Sequence, residues 1–139
     1  MRIFVAASYS SRVYYETGKV FPEYQAWLEN NLESLENLGH TVFCALRADQ
    51  YKINYTDPAE AFSLDEAEIM AADGMLAFVT DKLSAGVQTE IGMAIAMKKQ
   101  IVIAHVAEHP LAYFNQAIVL AGQASEVVLP ITSDPFTVS

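Results

Sequence analysis

Basic residues are scarce in this chain: eight Lys and Arg stand against seventeen Asp and Glu, a formal charge of −9. Binding to a nucleic-acid backbone is driven by Lys and Arg displacing counterions, so this balance argues against a polymeric nucleic-acid partner. It leaves a small nucleotide open, because one or two local donors can hold a single phosphate against an unfavourable net charge. Cysteine is scarcer still. Cys44 alone cannot form an internal disulfide, which points to a reducing, cytoplasmic compartment and leaves the Asn54-Tyr55-Thr56 sequon without meaning. No apolar run reaches the roughly 18 to 20 residues of a membrane span, and the opening MRIFVAAS carries no signal-peptide cleavage pattern. No GxGxxG follows the first apolar run, and no GxxxxGK[ST] occurs. His40, His105 and His109 show no metal-ligand spacing with Cys44 or with one another, so they read as non-catalytic and neither a metal nor a cofactor is expected.

What is present is apolar patterning. With 53% of its 139 residues apolar, the chain is expected to form one domain over residues 1–139 with a sizeable core. Met1 to Ala7 reads as a buried strand, and Ser8 to Lys19 as a polar and aromatic loop long enough to have a task. Pro22 opens a helix whose apolar face is Tyr24, Trp27, Leu28, Leu32, Leu35 and Leu38, with Gly39 as its stop. His40 to Ala45 reads as the second strand. Asp57 caps the next helix, with Pro58 at its first position and Glu60 completing a capping box. That helix turns Phe62, Ile69 and Ala72 to one side, and Asp65 lies among them. Gly74 to Thr80 is a third strand and Gln100 to Val106 a fourth. A helix from Pro110 through Leu111, Phe114, Ile118 and Ala121 stops at Gly122. Glu126 to Leu129 is a last short strand, and a polar tail follows from Pro130.

Between the third and fourth strands, SAGVQTEIGMAIAMKK opens on a Ser-Ala-Gly turn and continues as a helix. Val87, Ala94 and Met97 recur at the spacing of a buried face, and Glu90 falls on that stripe. A desolvated carboxylate is costly unless it is paired or useful. Five apolar strands separated by helices imply a parallel sheet covered on both faces. Right-handed crossovers make this an α/β fold of flavodoxin-like, doubly wound type with strand order 2-1-3-4-5, three layers deep, binding ligands at the carboxyl ends of the strands.

The helix LDEAEIMAADGMLAFV, the segment SAGVQTEIGMAIAMKKQIVI and the later FNQAI, in this order and spacing, resemble the nucleoside 2-deoxyribosyltransferase family and its relatives that hydrolyse nucleoside 5′-monophosphates. The resemblance covers most of the chain. It implies that Glu90, in GVQTEIG, is the nucleophile at C1′ of the sugar, and that Asp65 is the general acid, with Asp73 a second acid of the site. Ser84, six positions before Glu90, and the amides around Gly86 would hold the 5′ end of the substrate, and Ser8 and Tyr9 would border it. Asn115 would be lent to a neighbouring subunit, making the protein a homodimer or a higher homo-oligomer. Phe4 stands where the family usually carries a Tyr whose hydroxyl touches the nucleophile, which leaves ribosyl substrates open.

The chemistry so implied is double displacement at an anomeric carbon of a small-molecule nucleoside or nucleotide. Transfer of the sugar to another base and hydrolysis to free base are both open, because Ser84 resembles the hydrolases and Asn115 the transferases. A nucleotide-binding or sensing domain without turnover is the reading from another class. Residue by residue, plainer roles compete: Glu90 as a first-turn acid on the helix dipole, Asp73 as a turn former, Ser84 as an N-cap, and Asn115 as a solvated helix residue.

Overall fold

The computed structural model describes residues 1–53, 57–79 and 83–137. Five parallel strands form one sheet, β1 (Arg2–Ala6), β2 (Thr41–Phe43), β3 (Gly74–Phe78), β4 (Gln100–His105) and β5 (Ser125–Val128), in the order β2-β1-β3-β4-β5. The helices are α1 (Pro22–Asn37), a short α2 (Ala45–Ala48), α3 (Pro58–Ala71), α4 (Ala85–Ala96) and α5 (Tyr113–Leu120). Strand order and class are those expected of the sequence. The sequon residues Asn54, Tyr55 and Thr56 and the end of the expected third strand at Thr80 lie outside the described residues.

Successive strand side chains point to opposite faces, and β1 shows what each face holds. Ile3 and Val5 join Leu28, Leu32 and Leu35 of α1, whereas Phe4 and Ala6 join Ile69 of α3 and Val87, Ile91 and Ala94 of α4. From β2 onward the chain steps across the sheet in one direction, so right-handed connections put α3, α4 and α5 on the same face. α1, which makes the one step in the opposite direction, covers the other, joined there by Leu46 of the short α2. The C-terminal stretch completes that cover: Leu129, Ile131 and Phe136 pack into the α1-side core, with Phe136 only 5% exposed. Asp134 accepts from the Phe136 amide (2.9 Å) and is paired with His40 Nε2 (2.9 Å). The expected polar tail is therefore a docked element.

Local signals account for the element ends. Asp57 Oδ1 accepts the Glu60 amide at 2.9 Å, and Gly39 leaves α1 at φ +95°, a conformation that costs a side chain energy but glycine little. Three further expectations are corrected. The second strand ends at Phe43 because α2 begins at Ala45. The last helix starts at Tyr113, three residues after Pro110, with Leu111 buried ahead of it and Phe114 exposed. Leu38 and Phe62, expected on buried faces, are exposed, Phe62 to 51%. The long loop after β1 is stapled down through the bridges Val13 to Val20 and Lys19 to Lys52, and Gly18 packs so closely that a Cβ would lie 2.6 Å from the Ile53 carbonyl oxygen.

Candidate active site

A cleft of about 640 Å³ opens at the carboxyl ends of β1 and β2, between the α2 segment and the facing sides of α3 and α4. This is within the size range of small-molecule sites. Phe4, Phe43 and Cys44 form its apolar floor, and Tyr9, Asp49, Asp65, Ser84, Gly86 and Glu90 line its walls. Asp57 and Glu60 stand at the start of α3. Among the described residues that line it there is no Lys, Arg or His.

Two of these acids meet. Glu90 lies past the first turn of α4, between Val87 and Ala94 on the buried side, and Asp65 lies one turn before the fully buried Ile69 on α3. A first-turn role on the helix dipole is thereby ruled out for Glu90, since that turn contains no acid. The two carboxyl groups share a side-chain hydrogen bond. Burial, then the charge of Asp65, then that hydrogen bond push Glu90 up from 4.5 to about 9. Asp65 is also raised, chiefly by burial; the bond from Glu90 works against the rise, and Asp49 and Glu68 add to it. Two carboxylates this close cannot both ionise cheaply, so the pair holds one proton near neutral pH.

The other expected residues divide. Ser84 caps α4 by accepting the Val87 amide at 3.3 Å and still lines the cleft; a Cβ on Gly86 would meet only Ser84 Oγ, at 3.8 Å. Phe4 is buried, its ring tilted against that of Phe43 at 5.7 Å, and brings no hydroxyl to the acids. Tyr9 reaches across the mouth and donates its hydroxyl to Asp49, whose charge, after burial, raises the phenol well above its ordinary range. Ser8 is buried outside the cleft, its carbonyl accepting the Tyr24 hydroxyl at 3.0 Å.

Asp73 and Asn115 are not brought to the cleft. Asp73 precedes β3 at the amino end of the sheet, where its carboxylate accepts the Arg2 amide at 2.8 Å. Its turn-forming role is the one the structure displays. Asn115 is neither solvated nor presented outward: it is 2% exposed, donating to Gln88 Oε1 at 3.0 Å and accepting from Gln88 Nε2 at 3.2 Å. The reason lies in α5, which turns Tyr113 and Phe114 to solvent and so points Asn115 inward at α4.

Cys44 and Asp49 also line the cleft, where neither was expected. Cys44 directly follows the short β2, and a place just past the carboxyl end of a sheet strand is the signal that could have found it; Asp49 lies beyond α2 and has no such signal. Cys44 stays a thiol, since burial pushes it up to about 11. Among the described residues no group of three or more His, Cys, Asp or Glu could hold a metal ion, and no helix is long and apolar enough to cross a membrane. His40 and His105 are paired with Asp134 and Glu126.

Comparison with known proteins adds to this geometry. The family model described as nucleoside 2-deoxyribosyltransferase matches residues 13–128. No curated protein matches the sequence significantly. Among solved structures, that of BlsM aligns over 92% of this chain and 80% of its own, with 25% identity and a TM-score of 0.74. The Clostridium botulinum CMP N-glycosidase BcmB aligns over 93% of this chain and 89% of its own, with 23% identity and a TM-score of 0.67. A 2-deoxyribosyltransferase from Bacillus psychrosaccharolyticus aligns over 93% of this chain and 100% of its own, with 16% identity and a TM-score of 0.65. At these identities the last two likenesses speak for the fold alone.

Proposed function

The chain belongs to the nucleoside 2-deoxyribosyltransferase family of enzymes, and from that premise we propose that residues 1–139 act as one unit that cleaves the N-glycosidic bond of a nucleoside or its 5′-monophosphate through a covalent glycosyl-Glu90 intermediate, passing the sugar to another base. The observation that carries this reading is the Asp65–Glu90 pair, two carboxyl groups with one proton facing a cleft of nucleoside size.

One proton is what the first half-reaction needs. As substrate enters, the proton passes from Glu90 along the shared hydrogen bond to Asp65. Asp65 gives it to the departing base nitrogen, which keeps the electron pair of the broken C1′–N bond. Glu90, now a carboxylate, closes on C1′ as an ester. In the second half an acceptor base attacks C1′, its own N–H proton returns to the pair, and the Glu90–C1′ bond breaks. Water in place of the acceptor gives free sugar by the same steps.

Hydrolysis of a monophosphate is the second reading. Its support is the start of α4, where the Ser84 hydroxyl and the amides near Gly86 face the cleft and the helix dipole favours an anion. An assembly of identical subunits also belongs to this proposal. Its support is apolar: Phe62 and Leu64 are exposed at the cleft mouth, with Met70 further along α3, a surface that a second copy would cover. The lone buried Cys44 suits a reducing cytoplasm.

Chromatography of free base after incubation with ribo- and deoxyribonucleosides and their 5′-monophosphates, with and without an acceptor base, tests the proposal. Release that vanishes in Glu90→Ala is expected, and its dependence on acceptor and phosphate chooses between transfer and hydrolysis. Release from no substrate, with binding retained, would make the chain a sensing domain, to which Phe4 in place of a Tyr lends support.

A further inference from the structure

Resting on the proposed reaction, we infer that Asp49, held in place by the Tyr9 hydroxyl, reads the leaving base, so that the site takes bases bearing an exocyclic amine in preference to their oxo counterparts. Nothing in the sequence marks Asp49. It follows α2 as that helix's C-terminal cap, lines the cleft at its mouth, and accepts a hydrogen bond from Tyr9, a residue of the stapled loop after β1.

Its place relative to the reacting pair assigns it to the base. β2 is the edge strand beside β1, and the α2 segment that ends at Asp49 follows it, whereas α4 packs over β3 and β4 as well as β1 and α3 packs over β1. Asp49 and Tyr9 are thus on the Asp65 side of the pair. In the proposed reaction Glu90 meets C1′ and Asp65 meets the departing nitrogen, so the Asp65 side is where the base lies.

The chemistry of the wall then selects among bases. An ionised carboxylate only accepts hydrogen bonds. Tyr9 occupies one oxygen of Asp49, and the lone pairs that remain favour an N–H donor. Asp57 and Glu60, also at the mouth, add acceptors of the same sign, and among the described lining residues no cation offsets them. An amino group on the far edge of the ring satisfies this wall. An oxo base sets a carbonyl oxygen there instead, against a carboxylate that repels it. A site built around a hydrogen-bonding partner rejects the analogue that cannot supply it far more strongly than an apolar pocket rejects a change of shape. Because Asp49 is exposed, the discrimination is expected to be moderate, roughly tenfold in kcat/KM.

The test compares cytidine with uridine and adenosine with inosine, each as riboside and 2′-deoxyriboside, in the wild type, Asp49→Asn and Tyr9→Phe. The wild type is expected to favour the amino base of each pair by about tenfold. Asp49→Asn, which replaces one acceptor with a donor, brings the ratio to one or inverts it, and Tyr9→Phe lowers it in the same direction. A wild type with no amino preference, or a ratio that Asp49→Asn leaves within twofold, overturns the inference. So does a loss that follows the 2′-hydroxyl and not the base, which would place Asp49 on the sugar. If Asp49→Asn fails to fold, Tyr9→Phe carries the test. If no substrate releases base, the proposed reaction has failed separately, and calorimetric titration of the same nucleosides decides this inference: equal affinity for amino and oxo partners, or none for either, overturns it.

Discussion

Asp65 on α3 and Glu90 on α4 are joined by one hydrogen bond and hold one proton between them. Neither helix explains this alone. Each presents an acid on its apolar side, and it is the packing of α3 beside α4 over β1 and β3 that makes two separate desolvation costs into one shared site.

Glu90→Gln is expected to remove activity while stabilising the protein at alkaline pH. The folded-state value of Glu90 lies above its ordinary value of 4.5, at about 9, so between these limits the folded chain keeps a proton that the unfolded chain releases. Stability is therefore complete below about pH 4.5 and declines as pH rises toward 9. The amide cannot ionise, so the variant lacks this decline. Thermal or urea unfolding should show it gaining on the wild type by about 1 to 3 kcal/mol between pH 5 and pH 9. A constant difference between the two across that range would contradict the shared proton.

The same proton sets the rate. With the proton lost from the pair there is none to give the departing base, so kcat/KM should fall on the alkaline side near pH 9. Asp65→Asn should lower the rate by about 10²- to 10⁴-fold and remove that limb. It should also spare substrates whose base leaves readily without protonation. An equal loss for good and poor leaving groups would assign Asp65 to binding and not to proton transfer.

The sequence carried strand order and site to different depths. Continuous apolar strands and three-and-four spacing in α1 and α4 depend on local pattern, and those elements lie where the pattern puts them, apart from the early end of β2. Glu90 was legible because an acid on an apolar stripe violates that pattern. Asp49 was not, since an exposed acid at the end of a four-residue helix breaks no rule and gains meaning only from Tyr9, brought to it across the chain. Phe136 was illegible for a related reason: one aromatic in a polar stretch has no period, and only the bare sheet face beside α1 explains its burial. Asn115 was placed by motif position, which says nothing of the direction α5 turns it.

The tail is a structural element with a measurable contribution. Phe136→Ala empties a site in the α1-side core and leaves Asp134 and His40 without the ring that packs against the imidazole at 5.7 Å. Truncating a buried aromatic costs about 3 to 5 kcal/mol. Urea unfolding should show a loss of that order, with kcat/KM little changed at temperatures where the variant is folded, because Phe136 packs beside Gly74 and Gln100 at the amino end of the sheet and the cleft opens at the carboxyl ends. A variant as stable as the wild type would mean that the stretch from Pro130 is undocked in solution.

Asn115 separates two accounts of the family-like FNQAI segment. As an intrachain pair, its amide and that of Gln88 satisfy each other while buried, and Gln88 precedes Glu90 by two residues on α4. Asn115→Ala then strands the Gln88 amide, which costs about 1 to 3 kcal/mol. Asn115→Asp is worse than a loss of shape, since it places a charge where no cation faces it among the described partners. Removing both amides together, in Asn115→Leu with Gln88→Leu, should recover much of the stability, because apolar groups leave nothing unpaired. Donation to a neighbouring subunit predicts the reverse pattern: Asn115→Ala would keep its unfolding curve and lose turnover, and mixing it with Glu90→Ala would restore activity in hybrid assemblies that carry one intact site. The double-mutant cycle measured by urea unfolding, with the mixing assay beside it, decides between them. A coupling energy near zero with restored activity would overturn the buried pair.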